Sequence, residues 1–309
     1  MPAHLQAHLR RGSVHERRRS TASRPGLRVA CIVSSLFADE ILPYRRPVEL
    51  PRVNASQSEH SLLVLPGFGN ASEDYTNLCR SLRSRGFDVS VLPVERRCWF
   101  NVARALLSPR FWDSSCTFAE GYGWYVQRVL EHLQELPAEQ TVTLVGHSAG
   151  GWLARAVLSD EAARAQVSGL VSLGTPHLPP PPGGNDVTRG ALTWLNLSYP
   201  GAFFESVRYV SVAGKTVLGR PVPKGEPRTP ASYAAASYSQ LLGGTGEGQF
   251  GDAVVPVACA LLPGSRTLLL PGVWHSMSKL GSFDEPSDNP WYGSEVVVDT
   301  WLSALLAPF

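Results

Sequence analysis

The chain has 309 residues, 43% hydrophobic and 17% charged, which is enough apolar content to bury a large core and too much for a disordered polymer. No stretch reaches the roughly 18 uninterrupted apolar residues of a membrane-spanning helix, and the 25 prolines and 28 glycines follow no repeat, so integral-membrane and collagen-like classes are excluded. The net charge of +2 hides an asymmetry: residues 1–28 carry seven arginines against Glu16, giving +6, and by difference the rest of the chain carries −4, without the basic excess that nucleic-acid binding needs.

In chain order, residues 1–38 form a basic leader. Arg10, Arg11, Arg17, Arg18, Arg19, Arg24 and Arg28 alternate with Ser13, Ser20, Thr21 and Ser23, the make-up of an organelle transit peptide, plastid first and mitochondrion second. A flexible basic tail and a secretory signal using 29–38 are the alternatives. Asn54-Ala55-Ser56, Asn70-Ala71-Ser72 and Asn196-Leu197-Ser198 fit the glycosylation pattern, which matters only in the secretory case. A Pro- and Arg-containing connector follows over 39–60.

From 61 to 309 short apolar runs alternate with helical periodicity, the pattern of a mostly parallel sheet with helices on both faces. A strand over 62–65 ends at Pro66-Gly67-Phe68-Gly69. A helix comes next, with Ser72 as N-cap, Glu73 and Asp74 in its first turn, Tyr75, Leu78 and Leu82 on one face and Gly86 at its end. A strand over 89–94 precedes a helix carrying Val126, Val129, Leu130 and Leu133 that stops at Pro137. Then come a strand over 142–145, a helix from Ala149, and strands over 170–173, 207–212 and 267–270. In the last helix Val297, Val298, Trp301, Leu302, Leu305 and Leu306 share one stripe. Two excursions interrupt the alternation, 177–205 with Pro179–Pro182 and 215–250 rich in Gly, Ala and Ser, and are expected as lid or insert segments. The five cysteines, Cys31, Cys79, Cys98, Cys116 and Cys259, are odd in number and lack paired spacing, so they read as buried or free thiols, with no metal site.

Gly146-His147-Ser148-Ala149-Gly150 directly follows a predicted strand and opens a predicted helix. That is the setting of a G-x-S-x-G nucleophile elbow, in which side chains two positions either side of a strained serine would collide with strand and helix. Serine needs an imidazole to take its proton and a carboxylate to hold that imidazole. In elbow enzymes the order is Ser, acid, His. Only His177 and His275 follow Ser148; His177 comes too early for a preceding acid loop and reads as a packing or lid-base histidine, which leaves His275 as the base. Glu226, Glu247 and Asp252 are the acid candidates. Asp252 fits best, because Gly251-Asp252-Ala253-Val254-Val255-Pro256 joins a turn to an apolar anchor, whereas the two glutamates read as solvated. The backbone N–H groups of Phe68 and Ala149 are the expected oxyanion donors.

Taken with Leu65-Pro66-Gly67-Phe68-Gly69 and Gly174-Thr175-Pro176-His177, these motifs make 61–306 resemble the α/β-hydrolase superfamily, and within it lipase-type serine hydrolases that include a plastid-type plant and algal branch. Pro66 stands where many lipases have histidine, and Ala253 where glycine is frequent. The resemblance implies an α/β-hydrolase fold with a lid insertion, a Ser148-His275-Asp252 hydrolase, and no metal or nucleotide cofactor. The apolar-aromatic residues Trp99, Phe100, Leu106, Leu107, Phe111, Trp112 and Trp124, with Leu192, Trp194, Leu195, Phe203 and Phe204, suit an acyl ester or lipid substrate and peripheral contact with a lipid surface; core filling under long loops is the competing explanation. An acyltransferase using the same triad and a non-catalytic binding protein on this scaffold are the rival functions.

Overall fold

The computed structural model describes residues 41–44, 53, 61–137, 139–182 and 184–308. The leader over 1–38 and nearly all of the connector over 39–60 lie outside the described residues, as do Cys31 and Asn54. Among the described residues the first unit is β1 (Ser61–Leu65), a 3₁₀ turn (Ser72–Tyr75), α1 (Thr76–Arg83) and β2 (Asp88–Val91). A run of 3₁₀ turns (Arg96–Leu107) leads to α2 (Pro109–Trp112) and α3 (Phe118–Gln134). Next come β3 (Val142–His147), α4 (Ala149–Val157), α5 (Glu161–Gln166), β4 (Val167–Leu173), α6 (Ala191–Ser198) and β5 (Arg208–Lys215). The chain closes with β6 (Val217–Leu218), α7 (Pro230–Leu242), β7 (Phe250–Gly251), α8 (Val257–Ala260), β8 (Arg266–Pro271) and α9 (Glu295–Leu306).

Six strands form one all-parallel sheet in the order β2-β1-β3-β4-β5-β8, while β6 and β7 make a separate antiparallel pair. Alternate strand residues feed two cores, as a period of two requires. Leu63, Leu65, Leu144 and Leu170 pack with Val126, Val129, Trp152 and Leu153 on one face. Leu62, Val64, Val145, Val171 and Val212 pack with Leu78, Leu82, Val298 and Trp301 on the other. The strands point their C-terminal ends at a common rim, where the loops after β1, β3, β4, β5 and β8 collect.

Local chemistry fixes the element ends. The Thr117 hydroxyl accepts from the Ala119 N–H and the Glu120 carboxylate accepts from the Thr117 N–H, a capping box that starts α3. Thr229, Pro230 and a left-handed Gly243 bracket α7. Ser72 does not cap the helix after β1. Its hydroxyl accepts from the Val94 N–H at 2.8 Å, and the Asp74 carboxylate caps the turn instead by accepting from Ala71 N–H at 2.8 Å. Both excursions hold packed elements: Ala191, Leu192 and Leu195 of α6 are buried, as are Ala231, Ala234 and Tyr238 of α7.

Candidate active site

β3 ends at His147 and α4 begins at Ala149, so Ser148 alone makes the turn, at φ +51 and ψ −123. L-residues rarely adopt such a backbone, which costs on the order of 1–3 kcal/mol and persists only where the surroundings enforce it. They do so here by crowding. A Cβ on Gly146 would lie 2.4 Å from the Gly151 Cα, and one on Gly150 would lie 2.3 Å from the Leu65 carbonyl oxygen. The Ser148 N–H donates to the Leu173 carbonyl at 2.9 Å, pinning the turn to β4.

The structure brings three of the sequence-predicted residues together across separate loops. His275 Nε2 lies 3.0 Å from Ser148 Oγ, and His275 Nδ1 lies 2.8 Å from Asp252 Oδ2. An ionised carboxylate only accepts, so Nδ1 carries the proton and Nε2 is left to accept from the serine hydroxyl. The two loops are also tied through the main chain, by the His275 N–H donating to the Asp252 carbonyl at 3.0 Å.

Asp252 is fully buried. Burial alone would raise its carboxyl, but the electrostatic interaction with His275, with hydrogen bonds from His275, the Val255 N–H and Tyr292, holds it below the usual 3.8. Its Oδ1 accepts from the N–H groups of Val254 and Val255 at 3.0 and 2.7 Å. Oδ2 accepts from the Tyr292 hydroxyl at 2.7 Å, whose oxygen accepts from Gly214 N–H at 2.7 Å. Sequence reasoning missed Tyr292, which precedes α9 in a stretch without a catalytic signature. Ala253, at φ +84, occupies the left-handed position that glycine fills more cheaply.

Among the described residues neither the Phe68 N–H nor the Ala149 N–H has a protein acceptor, and Ala149 opens α4, where the first N–H groups have no partner within the helix. The loop after β1 reaches the serine closely: a Cβ on Gly67 would sit 2.9 Å from the Ser148 Cβ. Glycine there lets the loop backbone stand beside the nucleophile. The Phe68 ring is half exposed, 5.1 Å from the buried Trp99 ring.

The remaining candidates separate from this site. His177 is fully buried, with Nε2 on the Ser172 hydroxyl at 2.8 Å, and burial holds its imidazole well below 6.5. Glu226 and Glu247 are exposed. Asn70 is buried against Tyr75 and Asn196 is bonded to His177 and Leu192 carbonyls, so neither offers an amide for a sugar. Cys79, Cys98, Cys116 and Cys259 are free. Among the described residues no group of three His, Cys, Asp or Glu side chains gathers as a metal site, and no helix is long and apolar enough to cross a membrane. The aromatic stretch divides: Trp99 is core, while Phe100, Leu107 and Trp112 are exposed.

A protein-family model described as the PGAP1-like alpha/beta domain matches residues 123–190, which run from α3 through the elbow to the loop after β4. Among solved structures, a metagenomic carboxyl esterase is 17% identical, with a TM-score of 0.52 over 86% of this chain and 83% of that one. The fold is that of the α/β-hydrolases. A Bacillus licheniformis lipase in mature form is 14% identical, with a TM-score of 0.45 over 84% of this chain and 93% of its own. No curated protein matches the chain in sequence.

Proposed function

We propose that this α/β-hydrolase cleaves carboxylic esters through an acyl-enzyme, with acyl lipids as its substrate class. The observation that carries the reading is the unbroken path from Ser148 Oγ to His275 Nε2 at 3.0 Å and from His275 Nδ1 to Asp252 Oδ2 at 2.8 Å, beside two unpartnered N–H groups. In this mechanism Ser148 Oγ attacks the ester carbonyl carbon while its proton passes to His275 Nε2. The carbonyl oxygen, now anionic, accepts from the Phe68 and Ala149 N–H groups; each such donor is worth about a hundred- to a thousandfold in rate. His275 returns the proton to the leaving alkoxide, and the bond to it breaks. Water then attacks the acyl-serine, giving its proton to His275, and Ser148 regains a proton as the acid leaves. Asp252 keeps the imidazole oriented and balances its charge throughout.

Support for an acyl chain comes from apolar side chains on and against the loop after β1. Phe68 is half exposed, and Phe283 lies so close that a Cβ on Gly69 would meet its ring at 2.4 Å. The structural likeness to a carboxyl esterase agrees with the ester reading.

The test is hydrolysis of p-nitrophenyl esters of increasing chain length. Wild type is expected to turn them over, preferring chains longer than acetate, and Ser148→Ala to lose at least about a thousandfold in kcat. Full activity in Ser148→Ala would overturn the mechanism, and a preference for acetate alone would overturn the lipid class.

A further inference from the structure

Behind the elbow runs a second hydrogen-bonded chain that the mechanism above does not use. The Tyr75 hydroxyl oxygen accepts from the Gly67 N–H at 2.8 Å and from Asn70 Nδ2 at 3.0 Å. Its own hydrogen is therefore free to go elsewhere, and it lies 2.8 Å from His147 Nδ1. His147 Nε2 lies 2.8 Å from the His275 carbonyl oxygen, which can only accept, so Nε2 carries the imidazole proton and Nδ1 receives the one from Tyr75. Each polarity along the chain is thereby forced, from the loop after β1 to the loop after β8.

Both side chains are buried, Tyr75 at 0% and His147 at 2% exposure. Trp291 packs edge-on against each ring, at 6.1 and 5.6 Å between centroids. Burial first, then the nearby His275, pushes the His147 imidazole down to about 3, so it stays neutral and its two nitrogens keep opposite roles. Gly67 packs directly on it: a Cβ there would stand 3.1 Å from His147 Nδ1.

The ends of this chain are what make it more than core packing. One end fixes the N–H of Gly67, the residue before the Phe68 donor. The other fixes the carbonyl of His275, whose own N–H is already held by Asp252. We infer that Tyr75 and His147 are a positioning pair that locks the oxyanion loop, Gly67–Asn70, to the loop bearing His275. The pair sets the spacing between the oxyanion donor and the base without touching substrate. This inference rests on the ester-hydrolase reading. Misplacement of reacting groups by about 1 Å costs on the order of a hundredfold in rate, so a loosened pair should lower kcat and leave KM nearly unchanged.

The experiment compares Tyr75→Phe, His147→Leu, their double variant and His147→Gln, whose amide offers one acceptor and one donor at about the separation of the imidazole nitrogens. Steady-state ester kinetics and the rate of fluorophosphonate inactivation are read well below each variant's melting temperature. Tyr75→Phe and His147→Leu are expected to lose about ten- to a hundredfold in kcat and in inactivation rate, with KM within about twofold. The double variant should be no slower than the slower single, because one chain is broken once, and His147→Gln should recover much of the rate. Should Tyr75→Phe fail to fold, the contrast between His147→Leu and His147→Gln decides. A lowered melting temperature with kcat and inactivation rate within twofold of wild type would overturn the pair and leave the hydrolase reading standing. A wild type with no Ser148-dependent turnover or labelling would overturn both.

Discussion

Asp252 is a charged group in a fully buried position, which is affordable only because four donors meet its two oxygens. Tyr292 is the one of the four that comes from outside the Asp252 and His275 loops, and it also satisfies the Gly214 N–H at the end of β5. Tyr292→Phe keeps the ring and removes both bonds. It leaves the Gly214 N–H without a partner in the interior, so a loss of about 1.5–3 kcal/mol is expected in urea unfolding. A change under about 0.5 kcal/mol would show that water replaces the hydroxyl freely. Ser148, His275 and Asp252 were legible in the sequence because chain order and a steric motif single them out. Tyr292, Tyr75 and His147 were not: Tyr292 stands in a stretch without a motif, Tyr75 lies on an apolar stripe that reads as core, and the residue between glycine and serine in an elbow is unrestricted by the motif.

Among the elements, the six strands of the main sheet follow from buried apolar runs, and their predicted bounds differ from the observed ones by a few residues. Val89–Val91 is strand, but the run to Val94 is not: Ser72 takes the Val94 N–H and turns the chain away from β1. The short β6 and β7 lack a sequence signal, because two-residue strands are shorter than any periodicity. Arg85, between α1 and β2, is 2% exposed and makes a two-pronged ion pair with Asp299 of α9, at 2.7 and 2.9 Å. The pair fastens the two helices that cover one face of the sheet. Breaking it strands a buried charge, so Asp299→Ala is expected to cost about 3–5 kcal/mol, measured by urea unfolding. Arg85→Met/Asp299→Leu, which removes both charges, should cost clearly less. Equal losses would mean that packing of the side-chain stems, and not charge pairing, holds the helices.

For the molecule as a whole, acid is the sensitive variable, because two imidazoles are buried neutral. Folding holds His147 down to about 3 and His177 well below the ordinary 6.5, burial being the first cause in each. A depressed folded value means that the unfolded chain takes up protons first. The stabilisation is therefore complete above pH 6.5 and is lost as pH falls from there toward the folded values; Asp252, held below 3.8, adds its loss only beneath that. Unfolding free energy should fall by about 1.4 kcal/mol per pH unit from His147 alone between pH 6 and 4.5, and the neutral burial of His177 steepens the fall in the same direction. A flat profile over that range would contradict their burial as neutral groups. The proposed chemistry of the molecule rests on one serine, and intact-mass analysis after a fluorophosphonate probe tests that most directly. Wild type should gain a single adduct and Ser148→Ala none, with Asp252→Asn modified far more slowly than wild type. A folded wild type that stays unmodified, or a Ser148→Ala protein that still gains the adduct, would contradict an activated nucleophile at Ser148.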